Sequence, residues 1–422
     1  MKPGRPSRDP GPAGLGGPVS PEGPVTSNGP GKPDGSGKRD GSGQADTPGE
    51  TAPAPEAPPA ATAGPVHIVG AGLMGASAGL ALSGQGVLVT IEDSSPAAQA
   101  MAAEAGAGRL RQGDDQDPEL VIVGTPPDVT AQVVAQQLER FPGATVTDLA
   151  SVKAIILDEL SGLGADLGRY VGSHPMAGRE RTGAASASAD LFIGRAWAIA
   201  PSPLAGPAAV RQIRDLAADL GAHSVYLTAQ AHDRAVALVS HVPQILSTLT
   251  AKQLIGAEEA ALELAGQGLR DQTRIAGSDP NLWAVILAGN GPAVAAVLRQ
   301  VREDLDQAIT ALSLGAGEET LGKSLVGLAG LLTDGNRGAA RIPGKHGGAK
   351  RQFDKVTVIV PDRPGQLGRL FRQMGRIRVN LEDLNLEHAA GKEFGLAEVS
   401  VPQGDGDRLT RHLKAKKWKI VS

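Results

Sequence analysis

Val66-His67-Ile68-Val69 runs directly into Gly70-Ala71-Gly72-Leu73-Met74-Gly75, and an alanine-rich stretch from about Ala76 to Leu82 follows. A short apolar run, a turn with three spaced glycines and a helix-forming segment predict strand, tight turn and helix. The glycines permit the sharp turn, close approach of backbone to a pyrophosphate, and close seating of helix on strand. Free amides at the helix start, around Leu73 and Met74, favour an anion there. In a chain with 57 glycines the context has to decide, and here it is supportive. Val87-Leu88-Val89-Thr90-Ile91 reads as a second strand, and Glu92-Asp93 stand at its end, near the spacing of an acidic ribose-binding residue. Asp93 is the expected ribose partner. Its carboxylate repels a 2′-phosphate, and no arginine follows before Arg109, so NAD is the expected cofactor rather than NADP.

The same alternation continues. Leu120-Val121-Ile122-Val123 is a buried-type strand that breaks into Gly124-Thr125-Pro126-Pro127, placing Thr125 and Pro126 where open parallel sheets hold ligands. A helix is expected over Val129 to Arg140, then a strand at Thr145 to Asp148 that delivers Ser151 and Lys153 to the same rim. Ser151 has two readings: a hydroxyl offered to a substrate oxygen, or the N-cap of a helix over Val152 to Leu160. Further strands are expected at Ala196 to Ala200 and Ser224 to Leu227, with an amphipathic helix at Ala208 to Leu220 between them. Residues 65–228 therefore read as a Rossmann-type α/β domain for a dinucleotide.

Within it, Gly172-Ser173-His174-Pro175-Met176-Ala177-Gly178 is the stretch best suited to proton transfer. Imidazole titrates at roughly 6.5 when unperturbed, and Pro175 with the flanking glycines predicts a bent loop presenting His174. The competing reading is a histidine in a surface turn.

Composition narrows the rest. The net charge of -4 argues against a nucleic-acid binder, and the absence of cysteine removes thiolate nucleophiles, disulfides and cysteine-held zinc. No metal is expected. No apolar run reaches the roughly 20 residues that span a bilayer, and a cytoplasmic protein with no membrane partner is expected. Residues 1–64, rich in Gly, Pro, Ser and Ala without an aromatic, read as a disordered tail. With aromatics at 2%, aliphatic side chains must fill the cores.

Residues 229–334 change character to long alanine- and leucine-rich helical segments, a second domain whose apolar faces suit a homodimer. Two polar clusters interrupt it. Ser240-His241-Val242-Pro243-Gln244 sets a histidine and an amide at a proline break. Arg270 and Arg274 flank Asp271, either as carboxylate-binding forks or as a surface ion pair. A linker is expected over 335–353. Residues 354–422 then read as strand, helix, strand, strand, helix, strand, a ferredoxin-like α+β module.

Taken in order, Gly70-x-Gly72-x-x-Gly75, Asp148-x-x-Ser151-Val152-Lys153, Gly172-Ser173-His174-Pro175-Met176-x-Gly178, Ser240-His241-x-Pro243 and Asp271-x-x-Arg274-Ile275-Ala276-x-Ser278-Asp279-Pro280 resemble the prephenate dehydrogenases over roughly Val66 to Leu312. The last module resembles an ACT domain through Asp362-Arg363-Pro364-Gly365-Gln366-Leu367 and Val379-Asn380-Leu381. The resemblance implies NAD-dependent oxidative decarboxylation of prephenate to 4-hydroxyphenylpyruvate, toward tyrosine. It implies His174 as proton acceptor, Ser151 as its hydroxyl partner, and Arg274 as the clamp on a substrate carboxylate. His241 and Gln244 stand among the substrate-binding residues, with Glu180 and Arg270 near the mouth. It further implies an amino-acid effector, tyrosine, near Asp362, Gly365, Leu367 and Asn380. Gln244 stands where many relatives carry a histidine, and Leu269 and Gln272 also depart from the usual residues. Arogenate, another NAD-linked substrate, or a sensor without catalysis are the competing readings.

Overall fold

The computed structural model describes residues 60–62, 64–178, 183–313, 318–343, 352–388 and 393–421, so most of the expected tail lies outside the described residues. Of its last positions, Ala61 and Thr62 donate their backbone amides to the Asp219 carboxylate at 3.1 and 2.6 Å. These two residues are thus tied to the folded domain, against the expectation of disorder through residue 64.

The first domain runs β1 (Val66–Val69), α1 (Leu73–Gly84), β2 (Val89–Glu92), α2 (Pro96–Glu104), β3 (Leu120–Val123), α3 (Pro127–Arg140), β4 (Thr145–Asp148), α4 (Ala154–Gly162), β5 (Tyr170–Pro175), β6 (Ala196–Pro201), α5 (Pro207–Asp219) and β7 (His223–Tyr226). Its seven strands lie in the order β2-β1-β3-β4-β5-β6-β7. The chain starts in the middle, goes to one side for β2 and to the other for β3, which opens a crevice beyond the ends of β1 and β3. Neighbours are parallel through β5; β6 then runs antiparallel to β5, and β7 parallel to β6. Strands β1 and β3 are buried at every residue, as a sheet covered on both faces requires. One face packs Trp197, Phe192, Ile213 and Leu216; the other packs Tyr170, Phe141, Ile156 and Leu160.

One expectation is corrected here. His174 belongs to β5 rather than to a bent loop, and it faces Ala198 across the antiparallel pair with β6. That pairing straightens Gly172 to Pro175 despite their turn-like composition, and Pro175, without an N–H to give, sits at the strand's last position.

The helical part comprises α6 (Ala229–Val236), a π-turn (Ala237–His241), α7 (Val242–Gln253), α8 (Glu259–Glu263), α9 (Gln267–Thr273), a 3-10 turn (Arg274–Gly277), α10 (Pro280–Gly289), α11 (Gly291–Leu312) and α12 (Glu318–Ala340). Residues 335–340, expected to open the linker, are helical. The long helix α12 absorbs Gly335 and Gly338, and its Ser324 hydroxyl donates to the Ala311 carbonyl of α11. Among the described residues, no single helix is long and apolar enough to cross a membrane.

The C-terminal module contains β8 (Phe353–Pro361), α13 (Gln366–Arg376), β9 (Asp383–His388), β10 (Phe394–Pro402), α14 (Gly406–Ala415) and β11 (Lys419–Val421). Its sheet is antiparallel, in the order β11-β8-β10-β9. Val358, Val399, Leu370, Leu409 and Leu413 fill its core.

Small residues seat α1. A Cβ on Gly79 would fall 1.9 Å from the Ala107 carbonyl oxygen, whereas one on Gly84 would meet nothing within 4 Å. Gly79→Ala is therefore expected to cost about 1–3 kcal/mol, and Gly84→Ala to be neutral or to stabilise by up to about 1 kcal/mol. Thermal unfolding followed by circular dichroism measures both; equal midpoints for the two variants would contradict this packing.

Candidate active site

A cavity of about 1130 Å³ opens beyond the carboxyl ends of β1, β3, β4 and β5 and is closed on its far side by the π-turn and α10. It is large for a single small ligand, since ordinary pockets hold about 300–1,000 Å³.

At one end lies the glycine turn. Gly70, with φ of +106°, has a position where a Cβ would stand 2.6 Å from the Gly124 carbonyl oxygen. At Gly72 a Cβ would meet nothing within 4 Å, so the backbone there is open to a ligand. Gly70, Gly72, Leu73, Met74, Asp93, Thr125 and Pro126 all line the cavity. Gly75 does not: a Cβ there would fall 1.9 Å from the Gly70 carbonyl oxygen, so this glycine serves helix packing behind the wall. Asp93 is held by two backbone amides, Ala71 donating to Oδ2 at 2.6 Å and Ser95 to Oδ1 at 2.7 Å. The turn after β3 is pinned by Thr130, whose hydroxyl donates to the Pro126 carbonyl at 2.8 Å. The residues present thus fit a dinucleotide: open backbone at a helix start for the phosphates, and an oriented carboxylate at the end of β2 for ribose hydroxyls.

At the other end, His174, Ser151 and His241 line the same cavity. Helix α4 starts at Ala154, so Ser151 is not its N-cap; the amides of Lys153 and Ala154 are taken by the Asp233 carboxylate of α6 at 2.9 and 2.8 Å. Beneath the Ser151 loop, the buried Lys153 ammonium pairs with Asp148, which also accepts from the Tyr170 hydroxyl at 2.7 Å and from the Ala150 amide at 2.9 Å.

His174 Nδ1 lies 2.9 Å from His232 Nε2, and His232 Nδ1 lies 2.8 Å from Asp233 Oδ1. Burial, with smaller contributions from His232, Lys153 and His241, holds the His174 ring well below the ordinary histidine value of 6.5. It is neutral at pH 7 and able to accept a hydrogen bond. His241 is also buried, which lowers it to about 4. Its Nδ1 is 3.1 Å from Asn290 Nδ2, and its ring meets the Trp283 ring edge-on at 6.0 Å. The π-turn that carries it precedes Pro243, which has no N–H for the carbonyl four residues back.

His232 and Asp233 were not expected from sequence. The signal was present: Ala229, His232, Asp233 and Val236 form an i, i+3, i+4, i+7 stripe, and all four are buried.

Several expected residues stand elsewhere. Gln244 does not line the cavity; its amide donates to the Ile275 carbonyl at 2.9 Å and is spent on holding the 3-10 turn. Arg270 and Arg274 are exposed and outside the cavity wall, on a polar turn that this bond ties to α7. Glu180 lies outside the described residues. In the C-terminal module, Asp362 and Asn380 are exposed, Gly365 has φ of +82° at the start of α13, and Leu367 packs against the core.

A glycine turn with an oriented acid, and a neutral histidine across the same cavity, define a dinucleotide-dependent oxidoreductase. The family model described as prephenate dehydrogenase, nucleotide-binding domain, matches residues 78–226, and that described as prephenate dehydrogenase, dimerization domain, matches residues 228–325. The chain is 34% identical over 354 residues to the probable prephenate dehydrogenase NovF of Streptomyces niveus, covering 83% of this chain and 98% of that protein. Among solved structures, the prephenate dehydrogenase of A. aeolicus in complex with hydroxyphenyl propionate and NAD+ aligns with a TM-score of 0.56 at 25% identity, covering 64% of this chain and 97% of that one. Synechocystis arogenate dehydrogenase aligns with a TM-score of 0.54 at 27% identity, covering 65% and 99%. The chain belongs to the prephenate dehydrogenase family.

The buried rings make stability depend on pH. His67 and His241 are each lowered from 6.5 to about 4, chiefly by burial. An unfolded chain takes up protons on these rings below about pH 6.5, while the folded chain does so only near 4, so stability falls as pH drops through that window. The thermal midpoint should be flat above pH 7 and fall progressively from about 6.5 to 4; a midpoint constant down to pH 4.5 would contradict this burial.

Proposed function

We propose that this chain catalyses the oxidative decarboxylation of prephenate to 4-hydroxyphenylpyruvate, with NAD as cofactor, in the route to tyrosine. The observation that carries the reading is His174, a neutral ring at the end of β5 that shares one cavity with the glycine turn and Asp93. NAD, when bound, supplies the hydride acceptor. His174 takes the proton of the ring hydroxyl as hydride leaves the same carbon, and returns it to that oxygen once carbon dioxide has left and the ring is aromatic. Ser151, free of a capping role, donates to the same oxygen and orients it.

The substrate is a dianion, and the described wall of the cavity contains Glu92 and Asp93 but no lysine or arginine. We assign one substrate carboxylate to Arg274, whose fork suits it and whose turn is followed at once by α10, the bearer of Leu282 and Trp283 in the cavity wall. This assignment requires the 3-10 turn to move inward on binding. Arg270 is assigned to the mouth.

The assay that tests the reading crosses prephenate and arogenate with NAD and NADP. Reduced cofactor should form fastest with prephenate and NAD, and His174→Asn should lower kcat about 10²-fold or more while cofactor affinity is kept. Turnover confined to arogenate would overturn the substrate assignment, and undiminished function in the variant would favour a sensor.

The C-terminal module supports a ferredoxin-like, ACT-like reading through its strand order β11-β8-β10-β9 and its two helices. We assign it to an amino-acid effector, tyrosine, near Asp362, Gly365, Leu367 and Asn380. Exposed apolar residues on α11 and α12, among them Leu305, Leu312, Leu325 and Leu332, suit a homodimer in the cytoplasm. Deleting residues 352–422 should abolish inhibition by tyrosine in steady-state assays and leave basal turnover; inhibition of equal strength in the truncated chain would refute the assignment.

A further inference from the structure

We infer that the dipeptide His232-Asp233 sets the proton positions of both cavity histidines, making His174 a hydrogen-bond acceptor towards the substrate and His241 a donor. The inference deepens the proposed function, since it says what each ring offers to the substrate of that cavity.

The argument starts at Asp233. Burial raises its pKa, but hydrogen bonds from His232 and from the amides of Ala154 and Lys153 outweigh that and hold it below the usual carboxylate range. An ionised carboxylate can only accept, so the hydrogen between Asp233 Oδ1 and His232 Nδ1 sits on the ring. We take that one N–H to be the only one on the ring, which makes His232 Nε2 an acceptor. The nitrogen facing it at 2.9 Å, His174 Nδ1, must then donate. The Nε2 of His174 is left with its lone pair, and it belongs to a ring that lines the cavity.

The second path leaves the same residue through its backbone. Asn290 donates to the Asp233 carbonyl at 2.7 Å, and since a carbonyl cannot donate, the atom facing it is the amide nitrogen. The other hydrogen of that NH2 group is available to His241 Nδ1 at 3.1 Å, which makes Nδ1 the acceptor and puts the His241 hydrogen on Nε2. Asp233 and Asn290 are 4% and 3% exposed, so water does not compete for these groups. One position therefore gives opposite instructions to two rings. The cavity gains an imidazole lone pair for a hydroxyl proton, and a neutral N–H for an acceptor oxygen elsewhere on the substrate.

The test records two-bond ¹H–¹⁵N spectra of the full chain labelled with ¹⁵N-histidine at pH 7.5, without substrate, with rings assigned by single His→Asn variants. His174 should carry its hydrogen on Nδ1 and His241 on Nε2. His232→Gln keeps an acceptor oxygen on this side chain; it should preserve the His174 tautomer and hold kcat within about 3-fold. His232→Leu removes the acceptor; it should release the tautomer and lower kcat by at least about 10-fold with NAD affinity unchanged. A hydrogen on Nε2 of His174 in the wild type, as an imidazolium at His232 would impose, overturns the inference. So does an unchanged His174 tautomer in His232→Leu, or an equal loss of kcat in both variants. Because the wild-type spectra need no substrate, a failure of the prephenate assignment would leave this result readable on its own.

Discussion

The carboxylate of Asp233 joins the two halves of this molecule at the point where both are needed. It belongs to the first helix of the helical part, yet it takes the first amides of α4 in the sheet domain and orients His232 behind His174. Helix α4 has no side-chain cap of its own. A helix start left without partners in a buried setting is costly. The docking of α6 thus satisfies the sheet domain's open backbone and orders its reactive ring with one group.

The remaining polar groups under the cavity follow the same logic of mutual satisfaction. Lys153 and Asp148 are buried together, and Tyr170 and the Ala150 amide also donate to that carboxylate. Such a pair contributes little net stability, because desolvation offsets its attraction. Its effect is geometric: it fixes the loop from Leu149 to Val152 that brings Ser151 to the cavity. The cofactor end is built by subtraction instead, from glycines whose missing side chains leave room for helix, sheet and ligand.

What could be read from the sequence was whatever is decided locally. The strand, glycine turn and helix from Val66 to Gly84 were legible because glycine spacing and apolar runs dictate them, and the place of Asp93 in the cavity wall followed from chain distance. The place of His174 in a strand was not legible, since the pairing that straightens it comes from Ala198. The two readings of Ser151 stayed open for the same reason: the group that caps α4 arrives 80 residues after Lys153. His232 and Asp233 were missed although their helical spacing marks them, because two polar residues in an alanine-rich helix look like its wet face. Gln244 was recognised as unusual, but nothing in the sequence shows that the Ile275 carbonyl uses its amide.

The π-turn from Ala237 to His241 holds one more residue per turn than the helices around it. Removing a residue there would restore ordinary pitch while the side chains of both flanks kept their faces, and only the residues of the turn itself would be redirected. A pocket histidine can in this way be brought in or withdrawn by a single-codon insertion or deletion, with the flanking helices and their packing surfaces retained. Such a turn is a cheap evolutionary means of changing what a cavity wall displays without redesigning the wall.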